Sequence, residues 1–113
     1  SVVGGGYTGS ATTNGESYTY ARLPLRAGTY TLRLYRRTTA NSGIVTFTLG
    51  GSSIGTIDGY SAANANDALA TITCITVSAS GFYDLVLTNT TKNGSSGGYE
   101  MRLQVIDLYR TGP

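Results

Sequence analysis

The residues best able to engage a ligand are tyrosines, arginines and asparagines. Nine Tyr in a 113-residue chain that lacks Trp is a high proportion. Aromatic rings stack on sugars or bases, while Arg and Asn hydrogen-bond to hydroxyls and carboxylates. The candidates fall into three groups: Arg33, Tyr35 and Arg37 in one run, Tyr60, Asn64 and Asn66 in GYSAANAND, and Lys92 and Asn93 in NTTKNGSSGG. Each also has a plain structural reading, in which Tyr fills strand faces and Arg keeps an exposed sheet soluble. As a set they point weakly to sugar binding.

Other chemistries are excluded or left without support. The chain has no His, which rules out a Ser or Cys nucleophile with an imidazole base and any His-bearing zinc site. GGGYTG at 4–9 matches the dinucleotide fingerprint formally. Only three residues precede it and nothing helical follows, so the strand and helix that make that motif work are missing. The acids are Glu16, Asp58, Asp67, Asp84, Glu100 and Asp107. Glycoside hydrolysis needs two of them facing across a cleft, and no spacing singles out a pair. Asp58 and Asp67 bracket a loop that could hold Ca²⁺ with Asn64 and Asn66, but Asp capping a turn at a strand end is the stronger reading. Neither a metal nor a cofactor is therefore expected. Asn89-Thr90-Thr91 and Asn93-Gly94-Ser95 match the glycosylation sequon, as such matches readily do in a Ser/Thr-rich chain, and receive no role. Cys74, the only cysteine, can form no internal disulfide and reads as a small buried apolar residue between Thr73 and Ile75.

The elements that must position these residues are strands. In AGTYTLRLYRRTT (27–39), Tyr30, Leu32 and Leu34 share one parity, and Thr29, Thr31, Arg33, Tyr35 and Arg37 share the other. That alternation marks a long strand with one buried and one wet face. Ser17–Leu25 reads as an earlier strand, at an edge because of Pro24, and close enough to the long strand to be its hairpin partner. Val45, Phe47 and Leu49 share a face, and Gly50-Gly51-Ser52 turns the chain into 54–58, giving a hairpin over 44–58. Tyr83, Leu85 and Leu87 define a further strand after Gly81. Two strands change parity. In 69–77, Ala70, Ile72 and Cys74 give way to Ile75 and Val77; in 99–110, Tyr99, Met101, Leu103 and Val105 give way to Ile106 and Leu108. A bulge, or burial on both sides, explains either switch, and in the closing strand a second chain packing there is a further reading. The expected fold is all-β, a jelly-roll-like antiparallel β-sandwich of seven to eight strands without significant helix.

Length and composition bound the rest. The chain is long enough for one domain, with 1–15 as a Gly/Ser/Thr-rich arm and 16–113 as the sandwich. A start at Ser1 rather than Met is expected of a fragment or processed product. Only 12% of residues are charged and 16 are Gly, a composition suited to extracellular and virion β-proteins. A net charge of +2 is too small to argue for nucleic acid. No apolar run approaches a membrane span.

A resemblance takes the reading further. GTYTLRL, GIVTFTLGG and IGTIDGYS, followed by KNGSSGGY leading into the last strand, look like C-terminal domains of bacteriophage tail fibres and related tail proteins across 28–112. The resemblance implies a jelly-roll-like tip domain of a homotrimeric fibre on the virion, binding a bacterial surface polysaccharide or lipopolysaccharide without enzymatic activity. Tyr, Arg and Asn would make the glycan contacts. The second faces of the parity-switching strands, Ile75 with Val77 and Ile106 with Leu108, would meet the neighbouring subunits. Two alternatives stand beside it: a structural trimerising or capping role, and a carbohydrate-binding module of a secreted enzyme. The latter would show a Tyr-lined concave face and could hold a Ca²⁺ between the sheets.

Overall fold

A computed structural model describes residues 6–11 and 15–113, and among these every regular element is a strand. The order is β1 (Gly6–Ala11), β2 (Ser17–Leu25), β3 (Gly28–Thr38), β4 (Ile44–Leu49), β5 (Ser52–Asp58), β6 (Ala65–Val77), β7 (Gly81–Thr91) and β8 (Met101–Gly112). They form two four-stranded antiparallel sheets, β1-β8-β3-β6 and β2-β7-β4-β5. The sheets pack face to face as a jelly-roll β-sandwich, as the alternation in the sequence leads one to expect. Among the described residues no helix is long and apolar enough to cross a membrane.

The core is the sum of the inward parities. Tyr30, Leu32 and Leu34 of β3 face Val45, Phe47 and Leu49 of β4 and Leu85 and Leu87 of β7, all buried. The β4–β5 hairpin closes through Gly50 and Gly51, both at positive φ (59° and 86°), a type I′-like geometry that suits the twist of paired strands. β2 lies at a sheet edge, where Pro24 withholds no ladder bond that matters. Its hairpin with β3 does not form. The two strands join opposite sheets, and β2 pairs with β7 instead.

Both parity switches are bulges inside one chain. Opposite Tyr30 and Leu32, β6 spends three steps, from Ile75 to Ile72, and the surplus residue Cys74 takes φ 58°. Opposite Tyr35 and Arg36, β8 passes from Val105 to Leu103 with Gln104 in excess. Each surplus residue reverses the parity beyond it. Ile75, Val77, Ile106 and Leu108, expected at a subunit interface, are therefore buried in the protomer's own core at 3%, 4%, 1% and 0% exposure. They have no face left for a neighbour. Val105 moves outward for the same reason, and Cys74, expected to be buried, is exposed. Arg22 and Asp67, both at φ 55°, are the surplus residues of two further bulges. Within the stretch read as an arm, residues 6–11 pair as β1 along β8, while 1–5 and 12–14 lie outside the described residues.

Candidate functional site

The two ends of the sandwich differ. One is closed by the short turns 26–27, 50–51 and 78–80, and the other carries the long connections 39–43, 59–64 and 92–100. Backbone hydrogen bonds sew these long loops together. Thr39 N–H donates to Gly59 O (3.3 Å) and Ser61 N–H to Thr39 O (3.0 Å), forming a parallel bridge between Thr39 and Tyr60. Glu100 N–H donates to Asn41 O (2.9 Å) and Gly43 N–H to Glu100 O (2.8 Å), bridging Ser42 and Glu100. Gly97 N–H reaches Ala40 O at 2.9 Å. A Cβ on Gly97 would stand 2.5 Å from Asn41 Oδ1, so a side chain there would turn the Asn41 carboxamide aside.

Buried hydroxyls lock the crossing. Ser96 Oγ donates its one proton to Ser42 O (2.7 Å) with Gly98 O a second, more distant acceptor (3.1 Å), and the Thr39 and Ser42 hydroxyls are 2.8 Å apart. Ser42, Ser96 and Thr39 are 2%, 4% and 6% exposed, so these bonds replace water rather than compete with it. Asn89, fully buried, donates its Nδ2–H to Tyr99 O and ties β7 to the start of β8.

On this platform lies an open cleft of about 270 Å³ lined by Arg37, Thr39, Asn41, Asn64 and Glu100. Its chemistry is polar throughout: a guanidinium, two carboxamides, a hydroxyl and a carboxylate. Thr39 Oγ1 donates to Glu100 Oε1 at 3.4 Å and accepts Asn41 N–H at 3.1 Å. Beneath it, between the sheets, is a cavity of about 20 Å³, room for about one water-sized sphere. Arg36 is one of the residues that line that inner space. Its Nη1–H donates to Ala68 O (3.0 Å) and its Nη2–H to Asp58 O (3.2 Å), and burial lowers its pKa, with the nearby Asp58 charge opposing the shift.

The expected ligand residues divide. Arg37 and Asn64 line the cleft, whereas Tyr60 does not; its backbone bridges Thr39, which does. Asn93 and Lys92 shape the loop: Asn93 Nδ2–H donates to Asp58 Oδ2 (2.9 Å), and Lys92 Nζ donates to Ser96 O (3.0 Å) at 5.9 Å from the Tyr99 ring. Asn66 is exposed at the start of β6. Arg33 and Tyr35 lie elsewhere, on the outer face of the β1-β8-β3-β6 sheet. There the Arg33 guanidinium stands 3.7 Å from Asp107 and 4.7 Å from the Tyr109 ring, while Tyr35 lies opposite Leu69 and Val105. Sequence reasoning missed Thr39, Asn41 and Glu100. Nothing local in the sequence links them.

The cleft has one carboxylate among the described residues, whereas glycoside hydrolysis uses a facing pair. Asp58 caps a turn, its Oδ1 accepting Tyr60 N–H at 2.9 Å. Among the described residues, no three Asp, Glu, His or Cys side chains gather in a group able to hold an ion.

No family model matches the chain, and no curated protein does. Solved structures share its fold. A xanthan lyase from Paenibacillus superposes with a TM-score of 0.71 at 21% identity over 95% of this chain, which spans 12% of that enzyme. The CBM36-1 domain of a multidomain xylanase, from the hindgut metagenome of Trinervitermes trinervoides, gives a TM-score of 0.68 at 22% identity over 100% of this chain and 94% of that domain. A carbohydrate-binding module, CBM36, in complex with calcium and xylotriose gives 0.62 at 17% identity, covering 95% and 92% of the two chains. At these identities the likeness establishes the fold, a jelly roll shared with such modules.

Proposed function

We propose that this chain is a non-catalytic glycan-binding domain whose ligand enters the cleft among Arg37, Thr39, Asn41, Asn64 and Glu100. The carrying observation is that cleft: polar donors and acceptors held on loops fixed by buried hydrogen bonds, at the end where the sandwich has its long connections. Carboxamides, a guanidinium and a carboxylate offer paired donors and acceptors to the vicinal hydroxyls of a sugar, and fixing them beforehand reduces the ordering cost of binding. The fold shared with carbohydrate-binding modules supports the same reading.

Two settings refine it. The chain matches a small part of a large lyase and nearly all of one domain of a multidomain xylanase, which favours a module attached to a secreted enzyme. The resemblance of 28–112 to tail-fibre tips favours a virion protein that binds host polysaccharide or lipopolysaccharide as a homotrimer. Mass in solution separates the second setting, through its trimer, from a monomeric module. The test of binding itself is an array of bacterial and plant polysaccharides probed with the wild-type chain and with Asn41→Ala/Asn64→Ala. We expect a wild-type signal that the double variant loses while keeping its melting temperature. A signal that is absent, or indifferent to the double change, overturns the proposal.

A further inference from the structure

Arg37 stands apart from its neighbours. Arg36 is fixed on two carbonyls, Arg33 on Asp107 and Tyr109, and Arg110 donates Nε–H to Ala27 O. Arg22 lies over Phe82 at 4.8 Å, and Arg26 is exposed to solvent. Among the arginines whose side chains are described, Arg37 alone is partly buried with its guanidinium in no hydrogen bond or ion pair with a described residue, and it lines the cleft. A cation drawn partly out of water without a partner costs free energy that an incoming anion restores. A guanidinium presents a planar fork of donors matched to the two oxygens of a carboxylate.

Resting on the glycan reading above, we infer that the ligand is an acidic glycan and that Arg37 binds its carboxylate. The rest of the cleft sorts the sugar's other groups. Glu100, whose Oε1 already accepts the Thr39 hydroxyl, repels a second carboxylate and accepts sugar hydroxyls. Asn41 and Asn64 can donate and accept in turn. A ring carrying a carboxylate on one side and a vicinal diol on another, as a uronic acid does, meets both ends of this charge pattern. A neutral sugar offers Arg37 hydroxyls but no countercharge.

The test uses polygalacturonate, alginate and the glycans that bind in the array, each in native form and with its carboxyls reduced to hydroxymethyl groups. We expect the wild-type chain to prefer the acidic form by about 10- to 100-fold, the span of a charged hydrogen-bond pair. The preference should weaken as salt rises. Arg37→Gln should erase the preference, bringing native and reduced forms to equal affinity at an unchanged melting temperature, and Arg37→Lys should restore only part of it. Equal binding of native and reduced glycans, with Asn41→Ala/Asn64→Ala still damaging, overturns the inference and leaves the cleft as the site. Binding that ignores the double variant, or no binding to any glycan, overturns both.

Discussion

Replacing Ser96 with Ala removes one hydroxyl from the crossing of two loops. That hydroxyl donates its one proton to Ser42 O at 2.7 Å, stands 3.1 Å from Gly98 O, and receives Gly98 N–H at 3.4 Å. Ser96 and Ser42 are 4% and 2% exposed, so water does not simply take its place. The loss is about 1 kcal/mol if the loop relaxes and about 3 kcal/mol if the carbonyl is left dry. With an unfolding entropy of about 2.1 cal/mol/K per residue, a chain of 113 residues loses about 4 °C per kcal/mol, giving a drop of about 4–12 °C. Asn41 and Glu100 sit on the two loops this bond joins, so their preorganisation goes too. At about 0.5–1.5 kcal/mol for groups that must then be ordered on binding, glycan affinity falls roughly 2- to 10-fold. Scanning calorimetry reads the first effect and titration calorimetry the second. Ser95→Ala, at an exposed neighbour, is the control and should stay within about 0.5 kcal/mol of wild type. If Ser96→Ala melts and binds as Ser95→Ala does, the loops are not held together as described.

Leu108→Ala should cost about 2–5 kcal/mol in chemical denaturation, because Leu108 is wholly buried between the sheets, and should leave the native mass unaltered. A variant of wild-type stability and changed mass would return Leu108 to a subunit interface. Cys74 should react with Ellman's reagent in the folded protein, and Cys74→Gly should stabilise by about 1 kcal/mol by freeing a left-handed position at φ 58°. A thiol that reacts only after unfolding would contradict the bulge. Arg33→Ala should change stability by no more than about 1 kcal/mol, since its pairing with Asp107 is 40% and 24% exposed, and should leave glycan affinity intact. A loss of affinity would move the ligand to the sheet face around Tyr35 and Tyr109.

Much of the fold is legible in the chain because burial imposes a period of two. Tyr30, Leu32 and Leu34, then Val45, Phe47 and Leu49, then Leu85 and Leu87 alternate without interruption and lie where that alternation puts them. Reading failed where a bulge inserts a residue. A strand that switches parity at Cys74 or Gln104 looks apolar on both faces, so a single core resembles a core plus an interface. The bulge residues gave no warning, because Arg22, Asp67 and Cys74 hold positive φ without being glycine. The site was half visible. Arg37 and Asn64 stood out by type, but Thr39, Asn41 and Glu100 meet them only through the bridge between Ser42 and Glu100, which joins distant loops. Arg33, Tyr35 and Arg37 looked equivalent by parity. Their alternation along β3 is unbroken, because the surplus residues lie on β6 and β8; Arg37 differs by its place at the loop end of the strand, where it lines the cleft while Arg33 pairs with Asp107.

The most direct test is to titrate ¹⁵N-labelled protein with its strongest array ligand and map the amide shifts. We expect perturbations at 37–43, 59–64 and 96–100, with the Arg37 Nε–H and the Asn41 and Asn64 side-chain amides moving in step. Perturbations centred on Arg33, Tyr35, Leu69 and Tyr109, with the loop end silent, would contradict a ligand held in the cleft.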